Sequence, residues 1–294
     1  MRRRVTSVAA VMLSLVGGGH TLVRADDGAP APIVQPDITG VRVVSAHTTY
    51  GQLETDYSSS NIATERVGID WAIAPSWSAA LELPLALATF DCCSDPDIHL
   101  KEWVMGNPTL TGRFQRILYS SGESLLQGAL SIGAIVPTAD DDTDLDVLRV
   151  RDQVRMLHLV HHPYDFSDSW PVVPLRGDLR WSANGTAVQL GAAVHTMLED
   201  GGPQVDILLA NLGVGHAFSA GVELVADVTL IAIPPEISFE ETSASFCPAI
   251  DLAGGRRFGP IDVRLTFYVP APSCHDFSDE SGRAVGLHVS HPLD

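Results

Sequence analysis

Residues of alternating polarity recur along this chain, and the two most regular stretches lie near its C-terminal end. From 261 to 269 every odd position is apolar, whereas the even positions carry Asp262, Arg264, Thr266 and Tyr268. From 222 to 230 the aliphatic residues occupy the even positions. Because successive side chains of a strand point to opposite faces, each stretch predicts a β-strand with one aliphatic face and one polar face.

The alternating pattern recurs often enough to predict an all-β protein of about twelve strands. Turn-forming residues separate the copies, and Asn184-Gly185 is a strong two-residue hairpin signal. The predicted strands are 40–50, 61–73, 77–90, 107–119, 125–137, 172–182, 186–196, 204–216, 221–231, 243–254, 259–269 and 284–291.

The connections between these strands alternate between tight and long. Strands joined in this way form an up-and-down meander whose long loops all lie at one end. Closing the meander removes its exposed edges. The pattern therefore predicts an up-and-down antiparallel transmembrane β-barrel with short periplasmic turns and long external loops. The tight connections are 75–76, 120–123, 183–185, 217–220 and 255–258, and the long ones are 51–60, 91–106, 138–171, 197–203, 232–242 and 270–283.

A secreted β-sandwich with its aliphatic faces inside is the alternative architecture. A sandwich crosses between two sheets and does not require connections that alternate in length. Aromatic residues near the strand ends favour the barrel, because transmembrane barrels carry aromatic girdles at both membrane interfaces. These residues are Tyr50, Trp77, Phe90, Tyr119, Trp181 and Phe258.

The N-terminus has the organisation of a secretory signal. Residues 1–25 combine a basic start (Arg2, Arg3 and Arg4), an apolar run and a small-residue cleavage site that includes a fourth arginine, Arg24. We expect a disordered Pro-rich lead over 26–38 and the barrel domain over 39–294. Removal of the signal leaves 14 basic and 36 acidic residues, a net charge of −22, which disfavours nucleic acid as a partner.

No later segment has the roughly 18 consecutive apolar residues that a membrane helix needs. A chain without such a segment can cross a bilayer only as a closed barrel. The expected partner is therefore the lipid bilayer of the outer membrane.

Three short motifs resemble a family of Gram-negative outer-membrane barrels. The motifs are Leu83-Pro84, Gly106-Asn107-Pro108-Thr109-Leu110 and Ile135-Val136-Pro137-Thr138-Ala139. The family includes transporters linked to degradation of aromatic compounds through the phenol meta-pathway and is related loosely to channels for hydrophobic substrates. The resemblance implies passive, porin-like passage of a small molecule, with no catalytic residue and no cofactor.

Charged residues on the polar faces of the predicted strands are the candidates for lining the lumen. In a barrel they either face water in a channel or cross-brace a plugged interior. The candidates are Asp70, Glu82, Arg113, Arg176, Asp178, Arg180, Glu223, Asp227, Asp262 and Arg264.

An acidic cluster opens the longest predicted loop. The spacing of Asp142, Asp144 and Asp146 matches the first ligands of a calcium loop, but Val147 replaces the required glycine and Gln153 the bidentate glutamate. An EF-hand is therefore excluded, and a solvated external loop is the simplest interpretation. A second hypothesis is that the loop folds into the lumen, where Asp140, Asp141, Asp142, Asp144 and Asp146 would favour cations.

Other candidate chemistry in the chain is sparse. The four cysteines, Cys92, Cys93, Cys247 and Cys274, are expected to form disulfides in an exported protein, with the pairing open. His158, His161 and His162 lack a further ligand at a fixed distance, and we predict no metal site.

The sequence is also compatible with two functions other than transport. One is a structural or adhesive surface barrel whose loops do the binding. The other is a lipid hydrolase that uses His288 and Ser290, although the sequence provides no evident residue to orient the histidine.

Overall fold

A computed structural model describes the barrel and part of its longest loop. The described residues are 42–54, 58–92, 99–122, 124–138, 145–158, 164–166, 170–199, 202–218, 222–233, 245–258, 261–270 and 281–293. The predicted signal (1–25) and Pro-rich lead (26–38) lie outside these residues.

The described chain consists of thirteen strands and one helix, α1 (Leu145–His158). Each predicted strand is present, and most extend one to four residues further than the sequence pattern indicated. The strands are β1 (Arg42–Glu54), β2 (Ser58–Ala74), β3 (Trp77–Cys92), β4 (His99–Met105), β5 (Thr109–Ser121), β6 (Ser124–Ile135), β7 (Val172–Ala183), β8 (Thr186–Glu199), β9 (Gly202–Ala217), β10 (Val222–Ile233), β11 (Ser245–Phe258), β12 (Ile261–Pro270) and β13 (Ser281–Leu293).

The strands form a closed antiparallel ring of twelve members. β1 pairs with both β2 and β13, so the first and last strands complete the wall. β4 and β5 occupy one position in the ring, because both pair with β3 and are separated only by residues 106–108. The predicted twelve-stranded up-and-down barrel is therefore confirmed.

The connections predicted to be tight fall at one end of this barrel and those predicted to be long at the other. Three of the predicted long connections were wrong in extent, because only three residues separate β1 from β2, only two separate β8 from β9, and 91–106 contains β4. The hairpin turn between β7 and β8 has Asn184 and Gly185 at positive φ (50° and 75°), which these two residue types adopt readily. The prediction of a turn at 255–258 was wrong, because β11 continues to Phe258.

The aliphatic faces of the strands point away from the barrel. In β12, Leu265 is 41% exposed and Phe267 is 50% exposed. Arg264, which points to the other face of the same strand, is only 8% exposed. In a soluble sandwich the same leucine and phenylalanine would be covered by a second sheet. The outer wall therefore matches the apolar face of a transmembrane barrel.

Most of the predicted aromatic residues lie on this outer wall. Trp77, Tyr119, Trp181 and Phe258 are 45–57% exposed near the short turns. Phe90 is an exception, because it is 9% exposed and belongs to the interior apolar cluster. Phe90 occupies an inward-facing position in β3, so its assignment to an aromatic girdle was wrong.

The interior of the barrel is divided into two parts. In the half near the long loops, inward-facing residues such as Ile62, Ala88 and Ile231 form an apolar cluster with Val150 and Val154 of α1. In the half near the short turns, the buried inward-facing side chains are mostly polar. A uniformly polar interior was expected from the strand pattern, and the difference arises because α1 packs against the inside of β3 and β4.

Candidate functional site

Part of the longest loop folds into the barrel and is held against its inner wall. The buried turn Tyr164–Phe166 lies beside the break between β4 and β5. The backbone N–H of Asn107 donates to the carbonyl of Asp165 at 2.5 Å, and its side-chain Nδ2 donates to the carbonyl of Tyr164 at 2.7 Å. Asn107 Oδ1 accepts from the backbone N–H of Thr138 at 2.9 Å. One buried asparagine thus joins the start of the loop and its buried turn to the wall.

The three sequence motifs that carry the family resemblance meet at this point. Gly106 N–H donates to the carbonyl of Pro84 at 2.8 Å, and Thr138 Oγ1 donates to the carbonyl of Gly106 at 3.2 Å. A Cβ at Gly106 would collide with the carbonyl oxygen of Asp165 and lie 2.7 Å from Pro84 Cγ. Glycine is required here because the turn approaches the wall so closely. We call Arg66, Pro84, Gly106, Asn107 and Thr138 the loop anchor.

An ion pair completes the loop anchor from the opposite side of β3. Arg66 of β2 donates to the carboxylate of Asp165, and its Nε lies 3.7 Å from Glu82 Oε2. Desolvation by burial raises the pKa of the Asp165 carboxyl above its ordinary value, and the charge and hydrogen bond of Arg66 oppose that rise. Burial of the charged carboxylate therefore costs more than the ion pair with Arg66 returns, so the neutral form of Asp165 is favoured in the docked turn and protonation is coupled to docking.

The pH dependence of docking follows from the raised pKa of Asp165. A carboxyl with a higher pKa in the docked turn than in the undocked turn binds its proton more tightly when docked. Docking is then strengthened as the pH falls through this pKa and weakened as it rises. We expect the conductance of the barrel in planar bilayers to fall when the pH is lowered through the raised pKa of Asp165. Asp165→Asn should remove this step.

Glu82→Gln is the matched control for this experiment, because Glu82 also faces Arg66 but lies on the wall and not on the turn. The Glu82→Gln variant should retain the decrease in conductance. A conductance that rises on acidification, or a step that persists in Asp165→Asn, would contradict the assignment.

The docked segment reaches across the lumen. Arg66, which holds Asp165, belongs to β2, whereas the ring of Tyr164 lies 5.4 Å from the ring of His195 on β8. In the ring of strands, β3, β5, β6 and β7 separate β2 from β8. α1 fills space on the β3 and β4 side, where Ser60 Oγ donates to Gln153 Oε1 at 3.1 Å. The described part of the loop, 145–158 and 164–166, therefore lies inside the barrel, and the hypothesis that the acidic residues narrow the lumen and favour cations stays a prediction.

Charged pairs brace the inner wall below the docked segment. Arg176 binds Asp178 at 2.9 Å and donates to Asn211 Oδ1 at 3.1 Å, and Gln189 donates to Asp178 at 3.4 Å. A Cβ at Gly191 would overlap Asn211 Oδ1, so this glycine leaves the space that the cluster occupies. The four polar side chains link β7, β8 and β9 across the wall.

A second brace lies on the far side of the lumen. Arg264 of β12 binds Glu223 of β10 at 3.1 Å. The two residues are separated by Gly255 of β11, the strand between them, which pairs with both. The absence of a side chain at Gly255 leaves the path between the two charges open.

All ten predicted lumen residues lie on the face opposite the exposed aliphatic side chains. Four of them, Arg176, Asp178, Glu223 and Arg264, form the two braces. Whether any of the ten controls permeation stays a prediction. Asp140, Asp141, Asp142 and Asp144 lie outside the described residues, as do Cys93 and Cys274, and no side-chain geometry is described for Asp146, Cys92 or Cys247.

The histidine and serine considered for catalysis face the lumen. His288 and Ser290 are 4% and 2% exposed, and the ring of His288 lies 6.1 Å from that of His47. Both side chains are thereby separated from the apolar outer wall, where a lipid substrate would lie. Within the described ranges, His, Cys, Asp and Glu form no group of three that could hold a metal ion.

Three important residues of this site were absent from the sequence-based candidates. Arg66 lies on the polar face of its strand and could have been included by the alternation that selected Asp70. Asp165 and Gly191 gave no usable signal, because their roles depend on partners in other strands.

No family model and no curated protein matches the sequence. Among solved structures, the COG4313 outer membrane channel from Pseudomonas putida F1 is similar in fold, with a TM-score of 0.59 at 12% identity. The alignment covers 92% of this chain and 100% of that channel. The whole described barrel thus has the fold of a known outer-membrane channel.

Two other solved barrels overlap less closely. The translocator domain of the autotransporter NalP from Neisseria meningitidis has a TM-score of 0.44 at 13% identity, covering 87% of this chain and 89% of that one. The KdgM porin has a TM-score of 0.45 at 7% identity, covering 84% of this chain and 99% of that one. Neither contributes to the functional argument. Within the described residues, no helix combines the length and the apolar character needed to cross a membrane.

Proposed function

We propose that this protein is an outer-membrane channel for passive passage of a small molecule. The observation that supports it best is the loop anchor, which holds a turn of the longest loop across the lumen. A segment that only filled the barrel would not need a glycine, an asparagine and a buried ion pair to fix its position. Holding a constriction in one place is what a size-selective channel requires.

The division of the interior supports the same function. A permeant entering from the long-loop end meets apolar side chains such as Ile231 and Val172, and then the charged braces of the lower wall. A small molecule with both apolar and polar groups can contact the apolar side chains in the upper half and the charged side chains in the lower half in place of water. Neither half then binds it so tightly that its passage stops. The chemical identity of the permeant is left open.

Single-channel recording tests the proposal directly. Refolded protein in planar bilayers should give discrete ohmic conductance steps. A correctly folded barrel, identified by heat-modifiable migration on a gel, that remains electrically silent would favour a structural surface barrel instead.

Charge selectivity provides a second test, which concerns the acidic loop residues. We expect Asp140→Asn, Asp141→Asn and Asp142→Asn in combination to lower the preference for cations, because fixed negative charge near a narrow pore attracts counter-ions. Reversal potentials across a salt gradient measure this preference. Glu199→Gln, at the long-loop end of β8, removes a charge from another part of the rim and serves as a control. Reversal potentials that are the same in the triple variant and in the native protein would exclude the acidic loop from the permeation path.

A further inference from the structure

A groove lies on the outer wall of the barrel where β5, β6, β7 and β8 run side by side. It encloses about 640 Å³, and Gly128 and Gly177 form part of its floor. A Cβ at Gly177 would have no heavy atom within 4 Å, and one at Gly128 would meet only side chains of Leu118 and Leu179. The missing side chains leave space on a wall that is otherwise covered by aliphatic residues.

Arg116 places a positive charge in this groove. It pairs with Gly128, which in turn pairs with Leu179, so all three residues lie in one row on the outer face. The next row towards the short turns contains Tyr119, Leu126 and Trp181. Aromatic residues mark the membrane interface of a barrel, so Arg116 lies one row inside the apolar band. A cation at this depth is costly unless an anion accompanies it.

The described residues supply no anion to Arg116. It is exposed and takes part in no ion pair or hydrogen bond with them. The nearest acid among the groove residues is Asp178, whose carboxylate is turned to the lumen and bound by Arg176 at 2.9 Å and Gln189 at 3.4 Å. A counter-charge for Arg116 can therefore come only from outside the described residues.

We infer that the groove binds a phospholipid of the periplasmic leaflet. Its phosphate accepts hydrogen bonds from the Arg116 guanidinium, a geometry that arginine forms readily with phosphate oxygens. One acyl chain occupies the apolar floor over Gly128 and Gly177. The placement in the periplasmic leaflet follows from the short turns, which lie on the periplasmic side of outer-membrane barrels. The inference requires the outer-membrane location proposed above, but it does not require permeation.

Native mass spectrometry of the detergent-solubilised protein, titrated with phosphatidylglycerol, tests the inference. Arg116→Gln removes the charge and Gly177→Leu fills the floor, and each should weaken binding about tenfold. Arg256→Gln is the matched control, because Arg256 is also exposed but stacks over Phe258 at 5.3 Å near the end of β11. Binding to this control should equal that of the native protein. Single-channel conductance should be the same in all four proteins, which separates this test from that of the channel.

Reduced binding in both groove variants, with native migration on a gel, supports a phospholipid site. Equal binding in Arg116→Gln, or an equal loss in Arg256→Gln, means that the lipid is held nonspecifically and overturns it. If inorganic phosphate displaces phosphatidylglycerol at a concentration similar to that of the lipid, the apolar floor of the groove adds nothing to lipid binding. That result would also overturn the inference.

Discussion

Replacement of Gly106 by leucine is expected to open the lumen. The new side chain cannot fit between Pro84 and the turn, because even its Cβ would lie 2.7 Å from Pro84 Cγ and 3.0 Å from Phe166. The wall is held by the hydrogen bonds of the barrel, so the turn is the part that moves. With the turn displaced, the ion pair between Arg66 and Asp165 is lost. We expect single-channel conductance to rise by roughly twofold or more.

Asn107→Ala tests the same prediction without adding bulk. It removes the donor to Tyr164 and the acceptor for Thr138 from a residue that is 2% exposed. Loss of these two hydrogen bonds should weaken docking by roughly 1–3 kcal/mol. The conductance should therefore fluctuate between the native and the open level.

Gly112→Ala is the control for both variants. Gly112 lies in β5, a few residues after the break that contains Gly106 and Asn107, and a Cβ there would have its nearest contact at 3.9 Å. Its conductance should be that of the native protein. If Gly106→Leu and Asn107→Ala fold normally and also keep the native conductance, the docked turn does not limit permeation.

The strands of this barrel could be predicted because each one carries its own evidence. The alternation of Asp262, Arg264 and Thr266 with apolar residues indicates which face of the strand points outwards. This can be read from the one strand alone. Closure followed from the alternating connection lengths. Local periodicity therefore determined the architecture in this chain.

The loop anchor could not be predicted in the same way. Arg66 and Asp165 are 99 positions apart, and Asn107 and Tyr164 are 57 apart. The need for glycine at 106 arises from the backbone of a distant turn and leaves no local signature. The motif around Asn107 was predicted to matter only because it resembles a motif of an outer-membrane barrel family. The structure shows the physical role of Asn107, which is to hold the buried turn against the wall.

Helix α1 was missed although part of its signal was present. Val150 and Val154 are separated by four positions and are fully buried, as expected for one face of a helix. The remaining positions include Arg149, Arg151, Asp152 and Arg155, which made the segment resemble a solvated loop. A single apolar stripe on a charged helix is sufficient when it meets an apolar patch inside the barrel.

Placing an arginine at the middle of β12 should strongly destabilise the barrel in lipid. Leu265 is the fifth of ten residues in the strand, and its side chain is 41% exposed on the outer wall. A charge at the midplane of the lipid-facing surface costs roughly 2–4 kcal/mol, whereas near the interface it costs roughly 0–1 kcal/mol. Leu265→Arg should therefore lower the free energy of unfolding in lipid vesicles by the larger amount.

Phe258→Arg is the matched comparison, because Phe258 is also exposed on the outer wall but ends β11 beside a short turn. It should lower the free energy of unfolding by less than about 1 kcal/mol. Denaturant titration of both variants in the same vesicles measures the difference. If the outer wall met water, an exposed leucine could be replaced by arginine at a cost within about 0.5 kcal/mol. Two equally small effects would therefore contradict a lipid-facing wall, and the proposed channel would have to be abandoned with it.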